Sequence, residues 1–175
     1  VKDSRSLKIV TRYKLNKKDK KSLVEEAATS IGEEFAKKIE EAEQVEIAKI
    51  KSENVEEVYL VNGIISAIRF SGIGLIPSLF YLYKMGLRVN FPSVYVDSGA
   101  VPHILNGADV MIPGIKRIEG SFGAGERVLV RELGGSRVIA IGLSLVSSDD
   151  IAGKQKGKGI RNLHYLGDEI WKMSS

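Results

Sequence analysis

Leu7, Ile9, Thr11, Tyr13 and Leu15 alternate with mostly charged neighbours, the period of two of a half-buried strand, so a first strand is predicted over about 6 to 15. The period then lengthens: Leu23, Ala27, Ile31, Phe35 and Ile39 recur every four residues and lie along one side of a helix running to about residue 42. Ser22 and Glu25 have capping-box spacing at its start, and Gly32 inside it, at a cost of about 1 kcal/mol relative to alanine, marks a place for a break or kink. Strand periodicity returns from Val45 to Phe70, where VYLV and IISAIRF flank Asn62-Gly63; both turn residues tolerate the positive φ of a type I′ hairpin. In the following GIGLIPSLFYLYKMG, Pro77 suits the first turn of a helix and Gly86 its C-terminal cap, with Leu79, Leu82 and Tyr83 facing inward.

At Phe91-Pro92 the composition changes from Lys/Glu-rich to Gly/Val-rich, and proline holds its predecessor extended, so domains are predicted at 1–92 and 93–175. The second should be a small closed barrel of short strands near 94–97, 109–113, 127–133, 137–146 and 160–171, with small helices near 98–106 and 147–153. Asp97 or Ser98 can cap the first of these helices, and Ser147-Ser148-Asp149-Asp150 the second.

The chain of 175 residues, 43% hydrophobic and 27% charged, has the composition of a folded protein. No run approaches eighteen uninterrupted apolar residues and the lysine-rich start lacks the apolar core of a signal peptide, which predicts a cytoplasmic protein with no membrane partner. The absence of cysteine excludes disulfides, thiolate nucleophiles and cysteine metal sites. A net charge of +4 is compatible with a nucleic-acid partner without requiring one. Its distribution is uneven: residues 2–21 carry nine Lys or Arg against two Asp, whereas residues 25–57 carry eleven Glu against four Lys. A solvated helix face beside a basic strand is the ordinary source of such polarity.

Two stretches go further. VYVDSGAVPHILNGADVMIPGI, Val94 to Ile115, reads as strand, capped helix, glycine turn and strand; GKGIRNLHYLGDEIW, Gly157 to Trp171, closes the chain. Together they resemble the PUA domain, the module named for pseudouridine synthase and archaeosine transglycosylase. LVNGIISAIRF, the apolar helix with proline after it, and HYLGDEIW are similar to the pre-PUA plus PUA family of translation factors, known in eukaryotes as malignant T-cell-amplified sequence. The match runs from about residue 58 to the end, more weakly before. It implies an α+β fold, a pre-PUA α/β-sheet domain followed by a PUA pseudo-barrel, and binding of structured RNA: rRNA of the small ribosomal subunit, or tRNA, in initiation, reinitiation or recycling. It also implies a separate protein carrying an initiation-factor-like domain. The lack of cysteine and the compact form suggest an archaeal version. Carried onto this sequence, the RNA surface is Ala100, His103, Asn106, Gly107, Ala108 and Val110, with Arg161 to Tyr165, including His164.

The residues themselves support part of that surface. A glycine turn presents backbone donors and lets a phosphate or terminal base approach without a Cβ in the way, although Gly107 alone would be an ordinary helix cap. Lys154, Lys156, Lys158 and Arg161, interleaved with glycines, form a basic loop able to follow phosphates; Lys116 and Arg117 are a weaker second patch. GKQKGKG is not a P-loop, since its spacing is one residue short and the magnesium-binding Ser/Thr is missing, and GIGLIP lacks the third glycine of a dinucleotide fingerprint and reads as a turn entering a helix. His103 and His164 are too few for a histidine metal site, and the pairs Asp149-Asp150 and Asp168-Glu169 do not assemble with them into a catalytic set. No catalytic residues, metal or cofactor are expected. Two alternatives remain at this stage: an accessory subunit of a tRNA or rRNA modification enzyme, resembling the C-terminal arm of archaeosine transglycosylase, and a small-molecule enzyme using Tyr83, His103 or Asp97 in an interdomain pocket.

Overall fold

The computed structural model describes residues 8–174. The alternating start of the chain forms strand β1, Ile9–Lys14; the predicted residues 6 and 7 lie outside the described part. Helix α1, Lys17–Ser30, begins earlier than expected. Its cap is Asn16, whose side chain accepts from the Asp19 N–H at 2.8 Å, rather than Ser22: the first turn is solvated lysine and carries no apolar period. The helix breaks at Gly32, and α2, Glu33–Glu41, follows. Strands β2 (Val45–Ile50), β3 (Val55–Val61) and β4 (Ile64–Phe70) come next, with Asn62 at φ 49° and Gly63 at φ 83° making the expected hairpin turn.

GIGLIP departs from the prediction. Gly74–Pro77 is a strand, β5, pairing antiparallel with β4 from Phe70↔Gly74 to Ala67↔Pro77. Proline is tolerated there because β5 is an edge of the sheet. Helix α3, Leu79–Met85, is capped by Ser78. Leu79 and Leu82 face inward as predicted, but Tyr81 takes the buried place expected of Tyr83, which is 47% exposed. The five strands form an antiparallel sheet in sequence order, with Leu23, Ala27, Ile31, Phe35 and Ile39 buried on the helices and the Phe35 and Tyr81 rings edge to face at 5.8 Å.

In the second region, β6 (Ser93–Val96) leads to the short helix α4 (Val101–Ile104), then β7 (Val110–Met111), a 3₁₀ turn at Ile112–Gly114 and β8 (Ile115–Glu119), a strand the apolar pattern did not indicate. Strands β9 (Arg127–Glu132) and β10 (Val138–Ser144), helix α5 (Ser148–Gly153) and strand β11 (Lys158–Tyr165) complete it. The sheet order is β7-β11-β10-β9-β6-β8, parallel only between β6 and β9. Val94, Val96, Ile104, Val128, Val130, Ile139 and Ile160 are among its core. The final strand ends at Tyr165 rather than near 171; Glu169–Ser174 is a helix, α6, because Gly167 at φ 84° turns the chain.

Among the described residues the chain forms two compact units, 91–168 and 8–90 with 169–174. Helix α6 thus counts with the N-terminal unit, where Trp171 lies edge to face with Phe80 at 5.3 Å. The fold is α+β, a five-stranded antiparallel sheet with helices followed by a six-stranded, mostly antiparallel sheet of short strands.

Candidate nucleic-acid interface

The Asp97 carboxylate accepts from the Ala100 N–H at 2.9 Å and closes the turn that leads into α4; the expected cap is thus displaced, since the helix's own N-cap residue is Ala100 and has no side-chain cap bond. The turn after α4 closes through backbone bonds from the Gly107 N–H to the Ile104 carbonyl and from the Ala108 N–H to the His103 carbonyl, each 3.0 Å. Gly107 sits at φ 92°, a conformation that residues with a Cβ rarely adopt. Its identity therefore follows from backbone geometry as well as from any ligand. Asn162 on β11 secures this turn from across the unit: its side-chain amide donates to the carbonyls of Ile104 and Ala108, both at 3.0 Å, and its backbone N–H donates to Asp109 at 2.9 Å.

The secured turn forms one wall of an open cleft of about 390 Å³. Ala100, His103, Ala108, Val110 and Lys158 line it, joined by Asp109, whose carboxylate lies 3.2 Å from Lys158 Nζ. Small and apolar side chains make its walls, and that ion pair supplies both signs of charge. Such a cleft can receive a flat ring while a cation holds an adjoining phosphate. Asn106 stands exposed beside it, and Arg161 and Tyr165 are half-buried on β11.

Lys154 and Lys156 are exposed on the loop between α5 and β11. Neither they nor Arg161 makes an ion pair with a described residue. The second basic patch differs. Lys116 lies 3.8 Å from Asp97; Arg117 lies 3.1 Å from Glu119 and 3.9 Å above the Tyr95 ring. The Tyr95 hydroxyl, then Arg117, holds the Glu119 carboxyl below its ordinary value. These cations are already partnered by carboxylates.

Three expected contact residues are corrected: Gly107 is buried and does not line the cleft, since its place inside the turn hides it. His164 is fully buried, with Nδ1 2.7 Å from Asp168 Oδ2, which also accepts from the Tyr165 N–H at 3.0 Å. It clasps the turn after β11 and has no surface to offer RNA. Val110 exposes 1% and belongs to the core, touching the cleft only as its floor. Asn162 and Leu163, within the expected surface from Arg161 to Tyr165, are buried as well, and the supporting role of Asn162, like that of Asp109, was hidden from the sequence because their partners lie 53 to 58 residues away in the chain. Among the described residues no group of three or more His, Asp or Glu is placed to hold a metal, and no helix is long and apolar enough to cross a membrane.

A single-turn helix, a glycine turn and a closing strand around an open cleft define a PUA-domain protein. The PUA family model matches residues 92–166, and one for a domain of unknown function, DUF1947, matches residues 11–85. Translation machinery-associated protein 20 of Schizosaccharomyces pombe is 35% identical over 131 residues, 73% of this chain and 71% of that protein. Malignant T-cell-amplified sequence 1-B of Xenopus laevis is 33% identical, over 68% of this chain and 66% of its own. The crystal structure of a hypothetical protein from Pyrococcus horikoshii OT3 superposes with TM-score 0.78 at 33% identity, covering 94% of this chain and 100% of that one. The chain belongs to the family in which a DUF1947, or pre-PUA, domain precedes a PUA domain, together with these proteins.

Proposed function

We propose that this protein is a non-catalytic RNA-binding factor of translation, which docks its C-terminal unit on rRNA or tRNA at the small ribosomal subunit during initiation, reinitiation or recycling. The observation that carries this reading is the juxtaposition of the cleft beside His103 and Ala108, with Lys158 at its rim, and of Lys154 and Lys156, which make no ion pair among the described residues, on the loop leading to it. The cleft offers a place for a base and the loop offers charge for the phosphates that follow. The names of the relatives, translation machinery-associated protein 20 among them, support the cellular setting. A cytoplasmic location follows from it, and the Pyrococcus relative supports an archaeal source. A separate protein would supply the initiation-factor-like domain.

Sucrose-gradient fractionation of an extract containing the tagged chain tests the proposal, with bound RNA crosslinked and sequenced from each fraction. Co-migration with small subunits, and crosslinks to rRNA or tRNA that vanish in the Lys154/Lys156/Lys158/Arg161→Ala variant, are expected. Co-migration with a modification enzyme instead would favour the accessory-subunit role.

A further inference from the structure

Strand β1 is the first edge of the N-terminal sheet, and every one of its six residues is exposed. Ile9, Val10 and Tyr13 expose 40, 65 and 55% of their surface, an unusual concentration of apolar area on one short strand. The Leu15 N–H donates inward to the Val45 carbonyl at 2.9 Å, so by the alternation of an antiparallel pair the backbone groups of Lys14 and Arg12 point outward. Among the described residues nothing pairs with that outer edge. Tyr13 and Leu15 also wall a hollow of about 200 Å³ between the sheet and α1, shared with Leu23, Ile47, Tyr59 and Arg69.

Charge narrows the occupant. Lys8, Arg12 and Lys14 lie on or beside the strand, and Lys17, Lys18 and Lys21 follow in the first turns of α1. Cations along an edge oppose pairing with a second copy, since Arg12 and Lys14 would meet their own kind. They favour a strand that carries carboxylates. RNA is the weaker fit, because aliphatic Ile9 and Val10 offer bases nothing to stack on and the Arg12 guanidinium is already held bidentately by Glu46 at 2.7 and 3.0 Å. We infer that the β1 edge receives an extended, acidic segment of a partner protein, which adds a sixth antiparallel or parallel strand to the sheet. Main-chain hydrogen bonds supply affinity in this mode, and the side chains after the irregularity between Ile9 and Thr11 supply selection: an apolar one against Tyr13 on one face and a carboxylate against Lys14 on the other.

The test uses the full chain and a nine-residue peptide alternating glutamate with valine, titrated while backbone amide shifts are followed by NMR. Its charge-reversed lysine counterpart and a uridine decanucleotide are titrated in parallel. Shifts confined to residues 8–15 and their neighbours on β2, with the acidic peptide alone, are expected. Lys14→Pro removes an outward N–H while sparing the inward ladder and should weaken the peptide by about tenfold or more, whereas Lys14→Ala, which keeps the N–H, should weaken it less. Peptide N-methylated at alternate residues gives the same reading without altering the protein: one of the two methylation phases should abolish binding. The inference is overturned by equal binding of the lysine peptide, by β1 shifts with the oligonucleotide alone, by insensitivity to both methylation phases, or by no shifts at millimolar peptide.

Discussion

Strands β2 to β4 of the N-terminal unit and the loop before β11 in the C-terminal unit handle positive charge in opposite ways. In the N-terminal unit the register Lys49↔Glu57↔Arg69 lines three side chains across β2, β3 and β4. Glu57 lies 2.6 Å from Lys49 and 3.0 Å from Arg69, and Arg69 reaches on to Glu26 of α1 with two bonds of 2.7 and 2.8 Å. Tyr59 adds its hydroxyl to Glu57 at 2.7 Å. Burial alone would raise the Glu57 carboxyl; bonds from Lys49, Tyr59 and Arg69 outweigh it and keep the group below its ordinary value. Arg12 likewise holds Glu46 down by a hydrogen bond. In the C-terminal unit, Lys154 and Lys156 stand on a glycine-rich loop with no carboxylate opposite them among the described residues. The lesson is that a cation's role follows from the carboxylate opposite it in the fold and not from the charge of its stretch of sequence. Cations matched in place tie a helix to a sheet, while cations left unmatched are available to a polyanion.

The largest effect should come from the loop cations together with Lys158, which is paired with Asp109 at the rim of the cleft. Changing Lys154, Lys156, Lys158 and Arg161 together to Ala is expected to lower affinity for structured RNA on the order of a hundredfold at low salt and to flatten the salt dependence by something under about one unit per lost contact. Gel-shift titration across salt concentrations measures both, and a thermal melt should stay close to that of the parent chain. A steep, unchanged slope would erase the contrast between the units.

Arg69→Met should do the reverse. It leaves Glu57 and Glu26 without their shared guanidinium and is expected to cost about 2–4 kcal/mol in denaturant unfolding, with RNA affinity unchanged. The same network fixes a pH dependence. Glu46 and Glu57 have folded pKa values below their unfolded ones, so the unfolded chain binds protons first as pH falls. Their stabilisation is complete at neutral pH and is lost progressively below about pH 5. Urea titrations between pH 7 and 3 should show that decline, less steep in the Arg69→Met variant.

Asn162→Ala and Gly107→Ala probe the cleft's support. The first takes the side-chain donor from the Ala108 carbonyl and one of two donors from the Ile104 carbonyl, which keeps the Gly107 N–H, and should cost about 1–3 kcal/mol; the second forces a Cβ into φ 92° and should cost about 1 kcal/mol. Both should weaken RNA binding through the shape of the turn, which separates them from the loop variant by leaving the salt slope intact. The smallest effect belongs to Lys116→Ala: its exposed contact with Asp97 at 3.8 Å is worth under about 0.5 kcal/mol, and RNA affinity should change less than for any single loop lysine.

What the amino-acid sequence determined by itself is what depends on near neighbours. The periods of β1 to β4, the interruption at Gly32, the Asn62-Gly63 turn, the turn at Asp97 before α4 and the glycine turn at 107 each arise from interactions a few residues long. The basic loop was equally visible, because solvated lysines need no partner to be recognised. Tertiary structure decided the rest. Gly74–Pro77 became a strand because β4 offered an open edge, and Tyr81 displaced Tyr83 from the core because Phe35 waits on a helix more than forty residues earlier. His164 was drawn inside by Asp168, and Asn162 acquired its task only when β11 returned to the turn that ends at Ala108. A side chain's period announces which face it occupies; its hydrogen-bond partner across the fold settles whether that face meets solvent, core or ligand.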